Sequence, residues 1–181
     1  MDTQLEAKYT ALQQRLRQLG RAAVAFSGGV DSTFLLKAAH DLLGDRVVAV
    51  TADTAAVPRQ ELEIAAAFCR REGIVQLLYT ADLLNTPAFQ TNPPDRCYHC
   101  KKALFTGMAA LAEAEGFPTL AEGSNADDTG DYRPGMAAVR ELGAVSPLLE
   151  ARLTKADIRT LSRRLGLSTW NRPSAACLAS R

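Results

Sequence analysis

The chain has 181 residues, a formal charge of +1 at pH 7 and 47% apolar residues. That length suits one substantial α/β domain and is short for two. A charge this close to zero gives no global basic field for nucleic acid, and no stretch approaches the roughly 18 consecutive apolar residues of a membrane span.

The first twenty residues, "MDTQLEAKYTALQQRLRQLG", are charged throughout and have no signal-peptide core. They predict an amphipathic helix over 1–20, with Leu5, Leu12, Leu16 and Leu19 on one side, in a cytoplasmic protein. From Arg21 to Arg181 strand-like and helix-like runs alternate, which predicts a single further domain. "AAVAF" precedes a helix from about Ser32 to Leu43, and "RVVAVTA" follows. "PRQELEIAAAFCRREG" reads as a helix with Pro58 near its start and Gly73 past its end. After "IVQLLYT", the polar loop "NTPAFQTNPPDR" leads to a helix that begins near Cys97 and stops by Gly116. "TLAEG" is a short strand, "SNADDTGDYRPG" a loop, and a short helix to Leu142 precedes "AVSPLL". The last helix, "TKADIRTLSRRLG", opens with Thr154 three residues before Asp157, as in a capping box.

This order predicts a doubly wound, parallel, five-stranded sheet covered on both faces. In such sheets ligands sit beyond the carboxyl ends of the strands. The loops after "AAVAF", "VVAVTA", "IVQLLYT" and "TLAEG" should therefore meet at one crevice.

The stretch "VAFSGGVDSTFLLK" joins the first strand to the first helix of that domain. Gly28 and Gly29 allow a sharp turn and close approach of backbone N–H groups to a ligand. Ser27 and Ser32 add hydroxyls, and the helix adds the positive end of its dipole, so the whole suits phosphate oxygens. Neither the Walker pattern nor the spaced-glycine dinucleotide pattern is present. Asp31, an acceptor in a donor-rich loop, suits holding Mg²⁺; the plainer reading is a carboxylate favoured by the helix dipole.

Of the four cysteines, Cys69 lies inside a helical apolar stripe and is expected in the core. Cys97 and Cys100, in "PPDRCYHCKK", fall on one face of a first helical turn if Asp95 is the N-cap. The dipole, Arg96, Lys101 and Lys102 would favour their thiolates. A lone C-x-x-C is compatible with zinc, iron–sulfur or redox chemistry, and zinc normally wants four ligands. Cys177 sits in the small-residue loop "WNRPSAACLASR", flanked by Arg172 and Arg181, and is a candidate nucleophile or ligand. Three thiolates at one crevice suit a [4Fe–4S] cluster with one iron left without a protein ligand. Alternatively, Cys177 attacks by itself and loses its own sulfur.

"SGGVDS" resembles the pyrophosphate (PP) loop of the ATP pyrophosphatases, an adenine nucleotide alpha hydrolase-like fold. That resemblance implies cleavage of ATP between its α and β phosphates. With "RCYHCKK", "DYRPG" and "WNRPSAACLASR" added, the chain closely resembles the LarE family over nearly all of 21–181. These are ATP-dependent pyridinium-3,5-biscarboxylic acid mononucleotide sulfurtransferases of nickel-pincer cofactor biosynthesis. The resemblance implies that a substrate carboxylate is adenylated by ATP with Mg²⁺, releasing pyrophosphate, and is then converted to a thiocarboxylate. Members with all three cysteines, as here at Cys97, Cys100 and Cys177, look like cluster enzymes supplied with sulfide. Members that sacrifice a cysteine at the position of Cys177 typically lack the other pair.

By the same resemblance Lys101 stands beside the active site, and Ser180 and Arg181 orient phosphate or the acyl-adenylate. Asp128, Asp131 and Arg133 belong to a loop at the nucleotide crevice. The family pattern continues past "CLASR", so a further C-terminal segment that completes the substrate site and mediates assembly, as in a homo-oligomer, is expected. Neither nucleic acid nor a membrane is expected as a partner. Two rival readings are a tRNA-thiolating PP-loop enzyme, which needs a basic RNA surface, and a non-enzymatic nucleotide sensor of the same fold.

Overall fold

The structure is a computed structural model that describes residues 3–83, 85, 90–91, 93–130 and 134–173. In chain order the elements are α1 (Thr3–Leu19), β1 (Ala22–Ala25), α2 (Val30–Leu43), β2 (Val47–Asp53), α3 (Arg59–Glu72) and β3 (Gln76–Thr80). They continue with α4 (Arg96–Ala114), β4 (Thr119–Ala121), α5 (Pro134–Glu141), α6 (Pro147–Glu150) and α7 (Lys155–Arg164). The strands form one parallel sheet in the order β3-β2-β1-β4, with Ala22 facing both Val47 and Thr119.

The inner strands are apolar on both faces, as a covered parallel sheet requires. Their alternate residues go to different cores. Val24, Val47 and Ala49 pack with Leu12, Leu16, Phe34 and Ile158 on the side of α1, α2, α3 and α7. Ala23, Val48 and Val50 pack with Phe105, Met108, Ala112 and Val139 of α4 and α5 on the other. The N-terminal helix docks as its leucines predict, with Leu12 and Leu16 buried and Leu5 and Leu19 packed against the same core.

Strand order explains the two layers. The chain steps outward from β1 to β2 to β3, and right-handed crossovers put α2 and α3 on one face. It then returns to β4 on the far side of β1, so α4 lies on the opposite face. The reversal between β1 and β4 is a topological switch point, where a crevice opens beyond the strand ends.

Four strands are present among the described residues, not the expected five. "AVSPLL" contributes a single parallel bridge between Ala121 and Val145, through Val145 N–H to Leu120 O and Glu122 N–H to Val145 O, both at 2.9 Å. Pro147 lacks an N–H and starts α6, so the ladder cannot lengthen.

Local signals read from the sequence hold at several ends. Gly73 closes α3 in the left-handed region, at φ +69°. Thr154 and Asp157 form a reciprocal capping box on α7, at 3.2 and 3.0 Å, and Lys8 of α1 donates to Asp157 at 2.6 Å. No described helix is long and apolar enough to cross a membrane.

Candidate functional site

The loops after β1, β2 and β4 meet the first two turns of α4 around a cleft of about 610 Å³. Ser27, Gly29, Asp31 and Ser32 line it together with Cys97, Cys100, Lys101, Glu122, Asp128 and Lys155. The crevice predicted from sheet topology is therefore present, and it gathers most of the candidate residues that the structure describes.

The turn from β1 into α2 is built around two hydroxyls. Ser27 Oγ and Ser32 Oγ lie 3.1 Å apart, Ser32 Oγ donates to Gly29 O, and Gly29 N–H points to Ser27 Oγ at 3.4 Å. Gly28 adopts φ +75°, a conformation that L side chains rarely adopt, with Ala65 of α3 packed 3.6 Å from where a Cβ would be. The N-cap of α2, Gly29, has no side chain to cover the first turn. A dipole and backbone donors thus face the cleft, the arrangement that favours an anion.

Asp31 sits inside this donor-rich loop, ion-paired to Lys155 Nζ through Oδ2 and 3.5 Å from Asn125 Nδ2. Its Oδ1 is buried with no hydrogen-bond partner among the described residues. Burial raises its pKa above the ordinary carboxylate value, and the Lys155 pair does not fully offset that; nearby Asp128 pushes the same way. Asp128 itself accepts from Asn125 N–H at 2.9 Å, closing the loop after β4.

Cys97 and Cys100 carry unbridged thiols on the first turn of α4, Cys97 exposed and Cys100 partly so. Asp95 is the N-cap residue, but its carboxylate is 3.0 Å from His99 Nε2 rather than on the helix backbone. Lys101 reaches into the cleft with its ammonium 5.4 Å from the Phe105 ring centre. Lys102 does not attend the thiols: it bonds Glu141 at 3.0 Å and Tyr98 at 3.1 Å, latching α4 to α5. Cys69 is core, as expected, and burial pushes its thiol up to about 11.

Asp131, Arg133, Cys177, Ser180 and Arg181 lie outside the described residues. The segment that leads to Cys177 is described as far as Pro173, which lines the cleft. Arg172, one residue earlier, donates to Gly28 O at 3.1 Å.

Sequence reading missed Glu122 and Lys155 and took Arg172 only as a flanking cation. Glu122 is 5% exposed at the end of β4; it accepts from Ser124 N–H and Oγ at 3.1 and 2.8 Å, and from Ser146 Oγ. Its position at the carboxyl end of a switch-point strand was the available signal. Lys155 carried none beyond following the N-cap.

No protein-family model matches the chain. It is 42% identical over 177 residues to an uncharacterized Synechocystis protein, covering 98% of this chain and 66% of that one. It is 37% identical over 178 residues to the pyridinium-3,5-bisthiocarboxylic acid mononucleotide synthase of Lactiplantibacillus plantarum, covering 98% of this chain and 64% of that enzyme. The chain thus spans just under two thirds of the length of both relatives.

Among solved structures, the glutamine-dependent NAD+ synthetase of Acinetobacter baumannii in complex with ADP matches with a TM-score of 0.72 at 19% identity. That match covers 96% of this chain and 36% of the synthetase. The NMN synthetase of Francisella tularensis matches at 0.71 and 15%, covering 97% and 75%. Those likenesses bear on the fold alone; in sequence the chain is similar to a LarE-type synthase over nearly all of its own length.

Proposed function

We propose that residues 21–181 form the ATP pyrophosphatase domain of a sulfurtransferase, preceded by the helix over 1–20. ATP would adenylate a carboxylate of pyridinium-3,5-biscarboxylic acid mononucleotide, releasing pyrophosphate, and sulfur would replace AMP to leave a thiocarboxylate. The observation that carries this reading is that the Cys97 and Cys100 thiols open onto the same cleft as Ser27, Gly29, Asp31 and Ser32. The name of the Lactiplantibacillus relative supports the substrate class.

In this reading the β and γ phosphates rest on the Ser27–Ser32 turn, which leaves the α-phosphorus open to attack by the carboxylate. Asp31 fits Mg²⁺: it is a hard oxygen donor whose buried Oδ1 lacks a partner among the described residues. The ion would neutralise charge on the leaving pyrophosphate. Lys155, which pairs with Asp31, would add its positive charge to the polyphosphate site. By the family resemblance Lys101 would neutralise the acyl-adenylate, Asp128, Asp131 and Arg133 would serve the nucleotide, and Ser180 and Arg181 would orient phosphate.

The donor set on α4 fits a [4Fe–4S] cluster, two thiols on one helical turn facing the cleft. No three His, Cys, Asp or Glu residues gather as a metal site among the described residues, so the third ligand in this reading is Cys177. Cys97, Cys100 and Cys177 would hold such a cluster, and the chemistry it would supply is sulfide for the activated carboxylate.

Anaerobically reconstituted full-length protein tests this. Wild type should be brown and turn over repeatedly with sulfide, and Cys97→Ala should lose both properties. If Cys97→Ala still forms thiocarboxylate once per chain, with Cys177 converted to dehydroalanine, the sulfur comes from Cys177 instead.

A further inference from the structure

The peptide between Gly28 and Gly29 is gripped from both sides. Its carbonyl accepts from Arg172 Nη1 at 3.1 Å. Its N–H, which points the opposite way in a trans peptide, is the donor 3.4 Å from Ser27 Oγ, on the side of the hydroxyl cluster. A peptide flanked by two glycines turns over at little steric cost, so something outside the loop has to fix its sense.

Arg172 is itself fixed. Its Nη2 donates to Glu61 Oε1 at 2.5 Å, and the two side chains are only 21% and 15% exposed. Glu61 lies one turn before Ala65 on α3, the residue packed against Gly28. The Arg172 carbonyl in turn accepts from Arg159 Nη2 at 3.3 Å, and Arg159 lies one turn after Lys155 on α7. A planar guanidinium offers two donors in a rigid fork, which one ammonium cannot copy. A merely solvated arginine would be more exposed and worth little as an ion pair.

We infer that Arg172 is a positioning residue for the pyrophosphate loop. It holds the Gly28–Gly29 peptide with its carbonyl outward and its N–H toward the Ser27–Ser32 cradle, so that the loop is set for a polyphosphate before one arrives. This rests on the reading that the cleft binds ATP. Preorganised donors cost no rearrangement at binding, so loss of the fork should weaken ligands that use the cradle and spare those that do not.

The test is calorimetric titration of full-length wild type, Arg172→Ala and Arg172→Lys with Mg-ATP, pyrophosphate and AMP. Arg172→Ala should bind ATP and pyrophosphate roughly tenfold more weakly, the scale of one charge-assisted hydrogen bond, and AMP as wild type does. Arg172→Lys keeps the charge without the fork and should also lose affinity for ATP and pyrophosphate, which separates geometry from long-range attraction. Should the alanine variant not fold, the lysine variant carries the same comparison. ATP and pyrophosphate affinities equal to wild type, or an equal loss for AMP, would overturn the assignment. Wild type that binds neither ATP nor pyrophosphate would overturn the parent reading and this with it, whereas wild-type binding with unchanged variants overturns this alone.

Discussion

Lys155 and Asp31, 124 residues apart in sequence, form an ion pair at the Ser27–Ser32 end of the cleft. The pair joins the N-terminus of α7 to that of α2, on either side of the chain's return across the sheet. Despite it, burial leaves Asp31 with a raised pKa and one carboxylate oxygen without a partner among the described residues. Such a group is held at some cost to stability, as sites for charged ligands often are.

That cost has a sign. Asp31 binds its proton more tightly folded than unfolded, so its contribution to stability is present below its ordinary value of 3.8 and lost as pH rises through the raised value. Asp31→Asn should therefore melt no lower than wild type at neutral pH. Its substrate-dependent release of pyrophosphate should fall about a hundredfold or more. A melting scan and a pyrophosphate assay on the same sample check both.

Asp157 has the opposite sign. Burial works against its ionised form, but the bonds from Lys8 and Thr154 outweigh that and hold its pKa below the ordinary value of 3.8. Its stabilisation is present above that value and lost as pH falls through the depressed one. Asp157→Asn should cost about 1 kcal/mol at neutral pH, the scale of a helix cap, and flatten the acid limb of stability. Urea unfolding across a pH series measures this.

Gly135, on the first turn of α5, gives Lys101 its path. A Cβ there would come within 2.8 Å of Lys101 Cδ and 3.8 Å of Cys97 O. Because the lysine stem is flexible, Gly135→Ala should barely change the melting temperature, yet it should lower turnover roughly threefold to tenfold by displacing the ammonium. Steady-state kinetics beside a melting scan separate the two effects.

Gly107 behaves differently because a rigid ring covers it. A Cβ would come within 2.0 Å of the Tyr79 ring. Gly107→Ala should lose about 1–3 kcal/mol to overpacking, offset by up to about 1 kcal/mol of helix propensity. Urea unfolding should show the net loss, with the KM for ATP unchanged.

What could be read from the sequence was local. The Thr154–Asp157 box, Gly73 at the end of α3, the leucine face of α1 and the SGGVDS turn each depend on spacing within a few residues, and the structure has them all. The common crevice followed from strand order, itself a consequence of alternating apolar runs. The contacts that finish the site are long-range: Arg172 to Gly28, Lys155 to Asp31, Glu122 to Ser146. No local pattern encodes these, because each depends on how three or four elements pack. Lys102 was misplaced for the same reason, since its partner Glu141 lies on another helix. The fifth strand was overcounted because "AVSPLL" has the composition of a strand, while Pro147 ends pairing after one bridge.

In the proposed reaction this cleft activates a carboxylate by transferring AMP to it. The most direct measurement is exchange of labelled pyrophosphate into ATP by the full-length protein, with and without the pyridinium dicarboxylate mononucleotide. Exchange that requires that substrate and disappears in Asp31→Asn is the predicted result. Hydrolysis to ADP and phosphate without exchange, or exchange that requires tRNA instead, would contradict it.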